Sequence, residues 1–389
     1  MQSYDLAIIG AGINGAGVAQ AAAAAGYKVL VLEKNNAAGL ETSGASSKLI
    51  HGGLRYLETL EFSLVRESLQ ERELLLRIAP QLVRRQTFNI PIYQDTNRNQ
   101  LTLHAGLSLY AVLAGLHRHS FYRQARFSDW DKLDGLKTDG LKTVFQYQDA
   151  QTDDTALTRA VLASAQQLGA QVEYAARFID ARLSSSQVSL NYRQHDIEKT
   201  VTSRVLVNAA GPWVYPLNQQ LSPAPQMAQP DLIQGAHLIL DRPLKQAYYM
   251  EAPQDGRAVF LLPWKGKALL GTTETKVSQD DMTIQVTAAE RDYLLQVYRH
   301  YFPHQEETII GEMAGLRVLA QGPQQLFKRS RDVVLTLDDK NQPKVLTIIG
   351  GKLTVYRRTA LKALNMLQPS LPAAQAIADT SRLTLQPVE

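Results

Sequence analysis

The chain has 389 residues, 45% of them hydrophobic and 20% charged, which predicts a globular enzyme of two or three domains rather than one small core. Its 41 basic and 37 acidic residues leave a formal charge of +4, and no cluster of lysine and arginine is dense enough to mark a nucleic-acid-binding surface. With no cysteine in the chain, disulfides, thiolate nucleophiles, cysteine-ligated zinc and cysteinyl-flavin links are excluded.

The first elements are the most legible. Tyr4-Asp5-Leu6-Ala7-Ile8-Ile9 is a short apolar run, followed by Gly10-Ala11-Gly12-Ile13-Asn14-Gly15, an alanine-rich segment to Gly26, and a second apolar run ending at Glu33. Strand, glycine turn, helix and strand in this order make a dinucleotide-binding fingerprint. Gly10 permits the tight turn, Gly12 lets the backbone approach a pyrophosphate, and Gly15 lets helix and strand pack closely. Glu33, 18 positions after Gly15, can accept hydrogen bonds from a ribose diol. An acid there argues against a 2'-phosphate, so FAD or NAD is expected rather than NADP. Because the strand begins almost at once, no secretory signal is expected.

A glycine- and serine-rich loop, Gly39 to Ser47, leads into Lys48-Leu49-Ile50-His51-Gly52-Gly53-Leu54-Arg55-Tyr56-Leu57. Polar groups interleaved with leucines around two glycines predict a partly buried functional loop running close to a flat ring. Helical spacing follows from Glu61 to Ala79 and stops at Pro80. A strand is expected over Thr87 to Tyr93 and a helical excursion over Arg98 to His119. Within the latter, Ala105 to Leu116 is the nearest candidate for a membrane segment but too short to span a bilayer; a buried helix is expected, with a membrane dip as the alternative. Phe145 to Gln148 reads as the return to the dinucleotide domain, Thr152-Asp153-Asp154 as an N-cap, and Gly169 as the stop of the helix it begins. Gln171 to Asn191 alternates as a strand pair, and Val205 to Asn208 as a buried strand delivering Ala209-Ala210-Gly211-Pro212-Trp213, a turn placed for ligand contact. From Pro216 to Gly315 the alternation of strand and helix is lost; the strand-like runs and a helix over Thr287 to Tyr301 predict a mixed antiparallel region roofing the site. Val345 to Ile349 then repeats the opening idea, a buried strand feeding Gly350-Gly351-Lys352-Leu353-Thr354 and a helix start. After Pro369 a loose tail is expected.

The segments Ser46 to Glu58, Val207 to Trp213 and Gly350 to Arg357, with Gly271-Thr272-Thr273 and Ala314-Gly315-Leu316-Arg317, closely resemble FAD-dependent glycerol-3-phosphate dehydrogenase. The wider group is the amine- and hydroxy-acid-oxidising flavoproteins. The likeness covers nearly the whole chain, and its first and last motifs are far more specific than the glycine fingerprint. It implies an α/β fold: a Rossmann-like FAD-binding domain of residues 1–66, 145–215 and 315–372, a discontinuous mixed antiparallel α+β substrate domain of residues 67–144 and 216–314, and a tail of residues 373–389. It also implies noncovalent FAD and oxidation of sn-glycerol 3-phosphate to dihydroxyacetone phosphate. Electrons would pass to a quinone or another acceptor, and the location would be cytoplasmic or peripheral at the inner face of the cell membrane. Bacterial members continue into a further helical domain, so this chain is expected to be a short member. The oxidases of the group carry an added segment for which there is little room between Lys276 and Thr287, which favours a dehydrogenase.

Residue by residue, the resemblance implies that Arg55, Arg317 and Lys352 hold the substrate phosphate with Tyr56 beside them, and that His237 and His51 stand near the reacting hydroxyl. Gly10, Gly12, Asn14, Gly15, Glu33, Ser46, Ser47, Leu49, Phe178, Ala210, Gly211, Lys352, Leu353 and Thr354 match FAD contacts, and Lys34, Lys48, Trp213 and Gly351 complete that set. The residue types suit these roles: guanidinium groups offer paired donors to phosphate, lysine adds a point charge, and imidazole titrates near neutrality. His237 is the first choice of base and His51 the second. A carboxylate can also be held by Arg55 and Arg317, so a hydroxy acid or amine substrate stays open, as does a flavin-binding subunit without turnover.

Overall fold

A computed structural model describes residues 2–279, 282–321 and 332–388. Among these residues the fingerprint strand Ser3–Ile9 is the centre of a nine-stranded sheet. It runs parallel to Val29–Leu32 on one side and to the second half of Ile197–Asn208 on the other, and Val345–Ile349 continues the parallel set beyond Leu206–Asn208. The chain reads as continuously apolar here because both faces of the sheet are covered. Leu6, Ile8, Val29, Val31, Val205 and Val207 point to one core, while Ala7, Ile9, Leu30, Leu32 and Leu206 point to the other, as the period of two requires.

The first face is covered by the helices Ile13–Ala24, Asp154–Gln167 and Tyr356–Leu367. Alanines and glycines on Ile13–Ala24 permit close approach: a Cβ on Gly17 would lie 2.8 Å from the Tyr356 ring. Asp153 caps the second helix by accepting from Ala156 N, and Gly169 ends it with a φ of +99°. An antiparallel hairpin, Ala176–Leu183 with Val188–Gln194, covers much of the other face.

The second sheet has ten strands among the described residues. Strand Asp231–Leu240 pairs with Ile309–Leu319 along its length and with Lys267–Gly271 and Thr275–Val277 on its other edge. Val83–Tyr93 pairs with Leu141–Thr152 and joins the rest through a parallel contact with Ala247–Glu251. Helix Ala288–Tyr301, opened by a Thr287–Glu290 capping box, packs on one face, and helices Phe62–Ile78 and Gln100–Leu113 on the other.

Several details differ from the sequence expectations. The boundaries expected at 67, 145 and 315 each fall inside an element: helix Phe62–Ile78, strand Leu141–Thr152 and strand Ile309–Leu319. Both strands belong to the second sheet throughout. A strand-like run does not itself say which sheet it joins. Residues 280 and 281, in the segment weighed between dehydrogenases and oxidases, lie outside the described residues. The tail beyond Pro369 is docked, not loose. Ile377 N donates to Ala24 O at 2.8 Å, Leu385 N donates to Ile78 O at 2.7 Å, and Leu385 is buried in the main core. Its prolines disfavour helix and strand but leave extended packing available. Leu385→Ala is expected to lower unfolding free energy by about 2 to 5 kcal/mol in a denaturant titration, the range for a buried leucine truncation; a change within error would show that the tail contributes no core.

Candidate active site

Both glycine turns and the underside of the second sheet open onto one cavity of about 470 Å³. The fingerprint side is built by steric necessity. Gly10 has a φ of +99°, and a Cβ on Gly15 would stand 1.9 Å from Gly10 O, so neither position accepts a side chain. Helix Ile13–Ala24 begins at Gly12 with no side-chain cap, leaving the positive end of its dipole facing the cavity. Glu33 ends the second strand and accepts from Ala11 N at 2.7 Å and from Asn35 N at 2.9 Å. A carboxylate has about four acceptor sites, so it retains capacity for a ribose diol.

The loop from Gly44 to Tyr56 forms the opposite wall. Lys48, with a φ of +59°, is buried and points away from the cavity: its Nζ donates to Gly44 O and to Asp154 Oδ1, each at 2.6 Å. Asp154 Oδ2 also accepts from Ser46 Oγ at 2.6 Å. His51 faces the cavity and stands edge-on to Phe260 with centroids 6.4 Å apart; its backbone N donates to Thr354 Oγ1 at 3.1 Å. Arg55 and Tyr56 follow on a short helical turn, Leu54–Leu57.

The polar end of the cavity gathers residues distant in sequence. Arg317 Nη2 donates to Thr272 Oγ1 at 2.8 Å, and Arg317 Nη1 lies 3.6 Å from Glu274 Oε1. Arg55 Nη1 lies 3.8 Å from the same oxygen. Lys352 Nζ sits 3.6 Å from the centre of the Tyr56 ring. Burial, and the neighbouring Arg55 charge, lower the pKa of Arg317 to about 10, which still leaves it cationic at neutral pH.

His237 is placed differently. It lies on strand Asp231–Leu240 between Met313 and Gly271, is 1% exposed, and is not among the residues lining the cavity. Its Nε2 is 3.1 Å from Ser47 Oγ, and Ser47 does line the cavity. Burial, with Arg317 and Lys48 nearby, depresses its pKa to about 3, so the imidazole is neutral.

Residues 5–357 match the DAO family, described as FAD dependent oxidoreductase. The chain belongs to this family. It is 37% identical over 373 residues to the glycerol-3-phosphate dehydrogenase of Pseudomonas aeruginosa, covering 94% of this chain and 72% of the relative. With the aerobic glycerol-3-phosphate dehydrogenase of Escherichia coli it shares 36% identity over 384 residues, covering 95% and 74%. The solved glycerol-3-phosphate dehydrogenase of Bacillus halodurans, complexed with FAD, has a TM-score of 0.76 and 26% identity, covering 98% of this chain and 68% of that one.

The residues present fit FAD. The uncapped helix start and the glycine cradle suit a pyrophosphate, Glu33 suits a ribose, and the buried Asn14 Oδ1 has no hydrogen-bond partner while its Nδ2 donates to Gly350 O at 2.9 Å. Of the expected cofactor contacts, Gly10, Gly12, Asn14, Glu33, Lys34, Ser46, Ser47, Leu49, Phe178, Ala210, Gly211, Trp213, Gly351, Lys352, Leu353 and Thr354 line the cavity. Gly15 instead packs beneath the turn, and Lys48 is turned into its ion pair. Lys34 Nζ lies 3.2 Å from the Trp213 ring centre and 2.9 Å from Glu41.

Sequence reasoning passed over several lining residues. Ser43 accepts from Ile13 N at 2.9 Å, supporting the helix start. Tyr249, Phe260 and Glu274 form the roof. Glu274 had one readable signal, a charge directly after the small Gly271-Thr272-Thr273 turn.

The depressed pKa of His237 gives a signed prediction. Between pH 6.5 and about 3 the unfolded chain binds a proton at this position that the folded chain does not, so folding stability falls as pH falls through that window. His237→Gln is expected to flatten the acid side of a stability-against-pH profile; identical slopes in both proteins would remove the assignment.

Proposed function

We infer that the protein oxidises sn-glycerol 3-phosphate to dihydroxyacetone phosphate. The observation that carries this reading is the convergence of Arg55, Arg317 and Lys352 on one cavity, the two arginines about a shared Glu274 oxygen and Lys352 against the neighbouring Tyr56 ring. Three cations suit a phosphate monoester, which carries a charge of about −1.5 to −2 at neutral pH. The similar P. aeruginosa and E. coli proteins are both glycerol-3-phosphate dehydrogenases, which supports the same substrate here.

Bound FAD supplies the acceptor for the hydride that leaves the second carbon of the substrate. The chain's own residues position the alcohol and manage its proton. Arg55 and Arg317 grip the phosphate, Lys352 adds charge, and Tyr56 holds Lys352 in place through its ring. As the carbonyl forms, the hydroxyl proton goes to His51, the histidine that faces the cavity. His237 acts on Ser47 as a positioning residue, since it is buried behind that hydroxyl. This order reverses the sequence preference for His237, because residue type gives no indication of which imidazole reaches the cavity.

For the onward electrons we propose a quinone and a peripheral membrane position at the cytoplasmic face. Among the described residues no helix is long and apolar enough to cross a membrane. Support comes from helix Gln100–Leu113 and its C-terminal continuation, where Leu101, Leu109, Val112 and Leu116 are all exposed. The apolar run from Ala105 is therefore only partly buried, since Leu107, Tyr110 and Ala111 face the core and the other face is open. Loss of quinone-analogue reduction, with no vesicle binding, would overturn both statements.

The purified protein is expected to be yellow and to bleach anaerobically with sn-glycerol 3-phosphate. No bleaching at about millimolar substrate, a usual upper KM, would reject the substrate, and a panel of hydroxy acids and amines would then identify the class. Arg317→Ala is expected to lower kcat/KM for the phosphate substrate about a hundredfold or more, the effect of removing one partner of a buried charge contact, with FAD retained; equal loss of FAD would reject a substrate role.

A further inference from the structure

The loop that carries His51 leaves its sheet just before the histidine. Pairing of Leu49 and Ile50 with Gln151 and Ala150 ends at Ile50, and the next two residues are held by side chains. Thr354 Oγ1 accepts from His51 N at 3.1 Å and donates to His51 O at 3.4 Å. Tyr110 Oη accepts from Gly52 N at 2.9 Å. The peptide between His51 and Gly52 is therefore gripped at both ends, its carbonyl by Thr354 and its amide by Tyr110.

The two grips differ in kind. Thr354 lines the cavity, whereas Tyr110 stands behind the loop on helix Gln100–Leu113, is 3% exposed and does not line it. The approach is close: a Cβ on Gly52 would lie 2.5 Å from Tyr110 Oη and 2.7 Å from Leu69 Cδ2. The phenol also has one direction. It donates to Asp149 Oδ2 at 2.7 Å, while Asp149 Oδ1 accepts from Arg72 Nη1 at 2.6 Å. An amide only donates and an ionised carboxylate only accepts, so a hydroxyl placed between them has a single orientation. Burial first, and then the Asp149 charge, raises the pKa of the phenol well above its ordinary value, so the proton stays on it. Reacting groups need support of this sort to stay within about 0.5 Å of a productive geometry.

We propose that Tyr110 is a positioning residue for the reaction: by holding the Gly52 amide from behind, it keeps the His51 imidazole where it takes the hydroxyl proton of the substrate. Tyr110 acts only through the loop, since it does not line the cavity. The inference rests on the reading of His51 as the proton acceptor.

The test uses the FAD-loaded enzyme and crosses two substitutions. Tyr110→Phe keeps the ring and removes only the hydroxyl; His51→Gln removes the proton acceptor. Anaerobic flavin bleaching by saturating sn-glycerol 3-phosphate is timed in wild type, each variant and the double variant. His51→Gln is expected to slow bleaching about a hundredfold or more, the usual contribution of a general base. Tyr110→Phe is expected to slow it about ten- to a hundredfold with KM held, the larger figure being the effect of a misplacement of about 1 Å. In the His51→Gln background the same change is expected to have no effect, because a residue that acts through another is silent once the other is gone. Equal slowing in both backgrounds, or no slowing in Tyr110→Phe, would overturn the proposal.

Stability is read separately. Tyr110→Phe leaves Gly52 N buried without its acceptor, so the melting temperature falls. Leu107→Ala, on the same helix and 1% exposed, lowers it too but is expected to bleach at the wild-type rate; a slowing there as large as in Tyr110→Phe would reduce the effect to general destabilisation and overturn the proposal. Should Tyr110→Phe lose FAD, Gly52→Ala takes its place in the crossed set under the same criteria, since its Cβ pushes the loop off the same hydroxyl. If sn-glycerol 3-phosphate does not bleach wild type, or His51→Gln bleaches at the wild-type rate, the underlying functional reading has failed. Hydrogen exchange of the segment 49–56, followed by mass spectrometry, then decides the rest. Faster exchange in Tyr110→Phe and not in Leu107→Ala keeps Tyr110 as the clamp on the loop, and unchanged exchange removes it.

Discussion

Two buried ion pairs hold the loop from Gly44 to Tyr56 in place, and the shape of the cavity depends on both. Lys48 and Asp154 are almost wholly excluded from water, as are Arg72 and Asp149. Asp149 belongs to strand Leu141–Thr152, and Asp154 opens the helix directly after it. The first pair fixes the loop at Ser46 and Lys48; Thr152 N donates to Lys48 O at 2.9 Å alongside it. The second pair reaches further along the same loop, since Tyr110 donates to Asp149 at 2.7 Å and accepts from Gly52 N at 2.9 Å. Removing one partner of such a pair costs roughly 3 to 5 kcal/mol because the other charge stays buried. His51 lies between the two anchors, so its position against Phe260 is set largely by charged pairs outside the cavity, together with its backbone bond to Thr354.

What the sequence made legible was whatever its local pattern determines. The fingerprint could be read because Gly10 and Gly15 answer to backbone sterics within a few residues, and because a strand buried on both faces must be apolar throughout. Thr287 with Glu290 and Asp153 with Ala156 are equally local. Partnership across long sequence distance was not legible. Lys48 reads as a loop cation, yet its partner lies 106 residues away, and nothing in the loop indicates that the side chain turns inward. His237 and His51 carry the same chemistry; only the neighbouring strands, which close over His237 and not His51, separate their roles.

The buried histidine and the cationic wall belong to one electrostatic arrangement. Burial, with smaller contributions from Arg317 and Lys48, holds His237 neutral, so the proton on its ring is set by hydrogen bonding and not by titration near neutrality. A neutral imidazole with Nε2 at Ser47 can orient that hydroxyl in either direction, depending on the tautomer. The same Arg317 that lowers the pKa of His237 also points at Glu274 and, in the reading above, at the phosphate. Burial remains the larger cause, so an anion against Arg317 eases only the smaller part of that shift and the imidazole stays neutral.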